Sequence, residues 1–155
     1  MKTSEIEPKD IWNEIKRNEL KDFISEHAKK QSKDRLLTNK LLSIQYKMED
    51  YIRNDNEAGT ELRALDFVKM YLTVLNISKR SLAQYFEMKD GNLHKYLSGE
   101  RKMNAEIAMK LSSFSHTKPE QWFGIQVKNE LLKFNNDKKT LDRFKRYDYK
   151  NLVKI

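Results

Sequence analysis

Leu37, Leu41, Ile44, Met48 and Tyr51 recur at steps of +4, +3, +4 and +3. That spacing lines one side of an α-helix with apolar side chains. The seam covers about two heptads, too few for a long coiled coil, so it predicts a helix that packs on a neighbour. The expected neighbour is a first helix over 8–27. Pro8 suits its first turn, and Ile11, Trp12, Ile15, Phe23 and Ile24 share a broad face. The polar stretch HAKKQSKD between the two reads as a break, so the pair is expected as an N-terminal helical hairpin. Only four Gly and two Pro occur in 155 residues. Such sparse punctuation argues against an all-β fold with many tight turns and for an all-α one.

Further along, NDNEAGT (54–60) has the composition of a linker. Thr60 is expected to cap a helix over 61–75. That helix carries two apolar stripes, Leu62, Leu65, Leu72 and Leu75 on one side and Phe67, Met70, Tyr71 and Val74 on the other. A helix apolar on both sides is buried on both. Ser78 then caps a short helix with Leu82, Ala83 and Phe86. The stretch EMKDGNLHKYLSG (87–99) holds Asp90-Gly91, a strong hairpin-turn dipeptide. However, Leu93, Tyr96 and Leu97 follow at helical spacing, and Ser98-Gly99 provides a helix stop. The segment therefore predicts a turn into a second short helix, about 89–97. Helices this short need partners to persist. Asn104 is expected to cap the next, with Ile107, Ala108, Leu111 and Phe114 inward. Pro119 and Glu120 open a last helix, anchored by Trp122 and Ile125, that runs to Phe134.

Charge is unevenly placed. Residues 1–60 hold 12 basic and 12 acidic side chains, whereas residues 61–155 hold 19 and 11 and carry the whole net charge of +8. A basic second half suggests a polyanionic partner. The tail, 137–155, interleaves seven basic and three acidic residues with Phe144, Tyr147 and Tyr149. The chain has no Cys, which removes disulfides, thiol nucleophiles and Cys-based metal sites. His27, His94 and His116 lack a second ligand at metal-binding spacing. No Gly-rich phosphate loop, metal-ligand spacing or nucleophile with a plausible base is found. The expectation is a binding protein without cofactor or metal, not an enzyme. No apolar run approaches a membrane span, and the charged start is unlike a signal peptide, which suggests a cytoplasmic protein.

The stretch from Asn76 to Gln126 resembles the helix-turn-helix domain of the phage-repressor (Xre) class, and more closely the HigA-type antitoxins of bacterial toxin–antitoxin modules. The marks are Ile77-Ser78 before Leu82-Ala83, Leu97-Ser98-Gly99 followed by Arg101, then Ala108 and Leu111. Lys118-Pro119-Glu120 with Trp122 and Gln126 points to antitoxins in particular. The match covers roughly residues 62–132. Glu87 stands where the family usually has a Gly that ends the second helix. Lys89 stands where a Ser or Thr usually caps the third.

The resemblance implies a five-helix, lambda-repressor-like helix-turn-helix domain over 59–136, preceded by the helical region 1–58 and followed by the tail. It implies a DNA-binding regulator, the antitoxin of a type II module, that neutralises a small basic ribonuclease toxin and represses its own operon. Residues 1–58, as a toxin- or partner-binding arm, or the tail would then bind the toxin. The alternatives are a stand-alone repressor, or an interaction module whose helix-turn-helix no longer binds DNA. In such a domain the second short helix enters the major groove. Its outward residues would be Lys89, Asp90, Asn92, His94 and Lys95, with Asn92 suited to adenine and Lys95 to guanine. Gly91 either lets the backbone approach DNA or eases the turn. Asp90 is expected to cap the helix. Ser78, Lys79, Arg80, Arg101 and Lys102 are candidate phosphate contacts. A homodimer is expected through Phe123, Val127, Leu131 and Phe134 on the last helix.

Overall fold

The computed structural model describes residues 8–54 and 60–153, with side chains described from residue 13 onward. The expectations resting on the side chains of Ile11 and Trp12, and on 55–59, lie outside the described residues. The elements are α1 (Pro8–Arg53), α2 (Ala64–Leu75), α3 (Lys79–Tyr85), α4 (Asp90–Ser98), α5 (Ala105–Ser115), α6 (Pro119–Asn135), α7 (Lys138–Lys145) and α8 (Tyr149–Val153). The fold is all-α, with no strand among the described residues. None of these helices is long and apolar enough to cross a membrane.

The expected N-terminal hairpin is not formed. Residues 8–53 are one helix, and it runs without interruption through HAKKQSKD. Polarity alone does not break a helix. Ala, Lys and Gln are good helix formers, and the stretch contains neither Gly nor Pro. The chain divides into two units, residues 1–40 and 41–155. In the first, every described side chain from Asn13 to Lys40 is exposed.

The second unit holds the core. Ile44, Met48 and Tyr51, three members of the opening seam, are buried there with Phe67, Val68, Tyr71 and Leu72 of α2. They are joined by Ala64 and Leu65 of α2, Leu82 and Ala83 of α3 with Phe86 at its C-cap, Leu93 and Leu97 of α4, Met103 before α5, Ile107, Ala108 and Leu111 of α5, and Trp122 and Ile125 of α6. Burying each large apolar side chain is worth about 1.5–3 kcal/mol, which is what holds helices of seven and nine residues in place. Each expected stripe of α2 is buried only in part, Leu65 and Leu72 on one and Phe67 and Tyr71 on the other, and Lys69 and Thr73 lie exposed opposite them.

Thr60 does not cap α2. The helix starts at Ala64, and the Asp66 carboxylate accepts from the Arg63 backbone N–H at 2.8 Å. Tyr51 secures the segment before α2: its hydroxyl accepts from the Leu62 N–H at 3.1 Å and donates to Asn129 of α6. Asn129 in turn donates to the Leu62 carbonyl at 2.8 Å. Nearby, a Cβ added at Gly124 would sit 3.1 Å from Ile52, so that glycine sets how closely α6 approaches the end of α1.

Candidate nucleic-acid interface

The α3–α4 unit is built by caps and by the core. Ser78 accepts from the Ser81 N–H at 3.1 Å and starts α3 as expected. At the other end, the Met88 N–H donates to the Ala83 carbonyl and the Glu87 N–H to the Gln84 carbonyl. That pairing is a Schellman closure, and it requires a left-handed residue between. The residue is Glu87, at φ +57°. The chain thus makes the backbone turn a Gly usually makes, with a residue that has a β-carbon. Lys110 of α5 reinforces the turn by donating to the Phe86 carbonyl at 2.7 Å.

α4 then begins at Asp90, with Lys89 as its N-cap residue and no side-chain cap hydrogen bond. Asp90 is therefore not the cap. It is the first helical residue, where a carboxylate favours the positive end of the helix dipole. Its carboxylate lies 3.7 Å from the Lys79 ammonium. Lys79 also lies 2.9 Å from His94 Nδ1. An ammonium only donates, so Nδ1 accepts. Lys79, Asp90 and His94 thus form one linked group joining the start of α3 to the first turn of α4. Gly91 has helical backbone geometry, and a Cβ built on it meets nothing within 4 Å. Neither the turn nor the protein's own packing demands a glycine there.

Leu93 and Leu97 face the core, which turns the opposite side of α4 outward. Lys89, Asp90, Gly91 and Asn92 are exposed, while His94 and Lys95 are half-buried. Ser78, Arg80, Arg101 and Lys102 are exposed on the flanks, and Lys79 is half-buried. Arg101 lies over the Tyr96 ring at 5.4 Å, which orients its guanidinium. Gly99 ends α4 at φ +86°, where L-residues are strained, and the Arg101 N–H donates to the Lys95 carbonyl across it. The expected residues thus gather on and around α4. Several of them are engaged within the chain: Lys79 with Asp90 and His94, Ser78 as the cap of α3, and Arg101 over Tyr96.

The residues that carried the antitoxin resemblance serve the fold. Trp122 is fully buried, and its indole N–H donates to Thr117 Oγ1 at 3.0 Å. Gln126 Oε1 accepts from the Met103 N–H at 2.6 Å and so closes the loop between α4 and α5. Pro119 occupies the first turn of α6.

On the expected dimer face, Phe123 is partly buried against the protein's own core. Val127, Leu131 and Phe134 are exposed at 48%, 54% and 43%. The Phe134 ring meets Phe144 of α7 edge-on at 5.6 Å, so the tail packs on this face in part. The two tail helices had no clear sequence signal. Asp137 caps the first by accepting from Lys139 N–H at 3.1 Å, and its hydrogen bond from the Thr140 hydroxyl holds its carboxyl below the usual range. No family model, curated protein or solved structure matches this chain.

Proposed function

We propose that the chain is a sequence-specific DNA-binding transcriptional regulator, with α3 and α4 as its helix-turn-helix and α4 as the recognition helix. The observation that carries this reading is the two-sidedness of α4. Leu93 and Leu97 anchor it in the core, while Lys89 and Asn92 are exposed and Lys95 half-buried, with the exposed cations Arg80, Arg101 and Lys102 on the flanking segments. Asn92 has the amide geometry to pair with adenine, and Lys95 would donate to guanine. The flanking cations would hold phosphates and make binding salt-dependent.

The finer proposal is an antitoxin that neutralises a small basic ribonuclease toxin and represses its own operon as a homodimer. It rests on the resemblance around Pro119, Trp122 and Gln126. Val127, Leu131 and Phe134 would supply the dimer face, because one such unit reads too few base pairs alone. The test is selection from a random duplex pool with the full chain. The expected product is an inverted repeat that also occurs upstream of the protein's own gene. Failure to enrich any sequence would reject the regulator and favour an interaction module. Co-expression with a toxic neighbouring gene tests the antitoxin separately: growth must be rescued.

A further inference from the structure

Glu19, Glu26, Lys33 and Lys40 stand seven residues apart along α1, in the order acid, acid, base, base. All four are exposed. Residues 13–26 hold four acidic and three basic side chains, and residues 27–40 hold one and five. Beside this row lie Leu20, Phe23 and Leu37, at 57%, 66% and 39% exposure. Leu20 and Phe23 lie three apart and Leu37 two heptads beyond Phe23, so the row of charges flanks a sparse apolar seam. A helix gains most of its stability by packing an apolar face, and this stretch has none packed within its own unit.

We propose that residues 13–40 pair with the same segment of a second copy of this chain, antiparallel. Antiparallel alignment sets Glu19 against the partner's Lys40 and Glu26 against the partner's Lys33. The symmetry of the pair repeats both contacts, giving four opposite-charge pairs. The same alignment sets Leu20 against the partner's Leu37 at each end. Phe23 then faces the partner's Asp34, and the middle layers join His27 to the partner's Lys30. A polar middle makes the pairing modest in strength and fixes its register, as polar core positions do in coiled coils. Parallel pairing would instead stack the base-rich halves on each other. This surface is separate from the α6 face and is independent of DNA binding.

The chain has no native Cys, so introduced ones report without background. Full-length chains carrying Glu19→Cys or Lys40→Cys are treated with a short bis-maleimide cross-linker, singly and mixed. The mixture is expected to give a covalent dimer, and each variant alone to stay single. In the antiparallel pair, position 19 lies about 30 Å from its own counterpart, at 1.5 Å rise per residue. Cross-linking of either single variant, or none in the mixture, would overturn the proposal.

A second measurement uses charge alone. Sedimentation of Lys33→Glu/Lys40→Glu and of Glu19→Lys/Glu26→Lys should each show self-association weakened at least about tenfold, since four exposed pairs turn from attractive to repulsive. The two variants mixed should associate at least as well as the unaltered chain. Unchanged self-association would assign dimerisation to another surface and reject this one. Capture of a foreign protein by residues 13–40 with no self-pairing would reject it as well.

Discussion

Replacing Glu87 with Gly should stabilise the protein. Glu87 holds φ +57° at the Schellman closure of α3, where its backbone N–H donates to Gln84 and the next N–H to Ala83. A residue with a β-carbon costs about 1–2 kcal/mol in this conformation. Gly removes that cost but adds about 0.5–1 kcal/mol through the freedom of the unfolded chain. The net gain is about 0.5–1 kcal/mol, a few degrees in Tm for a unit of this size. The Glu87 side chain is exposed. Thermal and urea unfolding of Glu87→Gly and Glu87→Ala separate backbone from side chain. Ala keeps the β-carbon and should change stability by no more than a few tenths of a kcal/mol. Equal gains in both variants would refute the reasoning, because the effect would then come from removing the carboxylate.

Tyr71→Phe should be neutral or stabilising by up to about 1 kcal/mol in urea unfolding, since the Tyr71 hydroxyl is buried without a hydrogen-bond partner. Burial pushes that hydroxyl up to about 12 from its ordinary 10.0. An acid whose folded value is raised contributes stability that is complete below about 10 and lost as pH rises toward 12. The alkaline decline measured by unfolding across that range should therefore be shallower in Tyr71→Phe, with Tyr51, also raised by burial, supplying part of the remainder. Ser78→Ala should cost about 1 kcal/mol, read as a lower Tm, because the Ser81 N–H loses its acceptor. Gly91→Ala should raise Tm, by up to about 1 kcal/mol of helix propensity, because its added Cβ meets nothing. If that variant also binds DNA more weakly, the glycine is there for the backbone's approach to DNA.

Much of the second unit was legible in the sequence because its signals are local. Ser78 and Asn104 cap as their hydroxyl and amide chemistry suggests, Pro119 opens α6, and Gly99 takes the left-handed stop. Leu93 and Leu97, four residues apart on one face, are buried. The errors share a cause: they concern places where a residue's type says little about its backbone. Lys and Gln in HAKKQSKD are polar yet helical, so composition suggested a break that is not formed. Glu87 and His116 take left-handed conformations that the network around them imposes, with no glycine to mark the turn. The exposure of most candidate residues was legible, but the bonds among them were not. Lys79 reads as one more surface cation until α3 and α4 are folded together, when it faces Asp90 and His94. Likewise, Trp122 and Gln126 read as marks of a partner-binding family, and here both hold the core and its loops.

The central claim is that α4 reads base sequence. It is tested by the affinity ratio between the selected duplex and a scrambled one of equal length, for the unaltered chain and for Asn92→Ala/Lys95→Ala at one fixed salt concentration. Each lost base contact is worth about 1–3 kcal/mol of discrimination. The account predicts that the double variant loses the ratio by at least about tenfold while keeping its Tm and most of its affinity for the scrambled duplex, which on this proposal rests on phosphate contacts by Arg80, Arg101 and Lys102. An unchanged ratio in a folded double variant would contradict it.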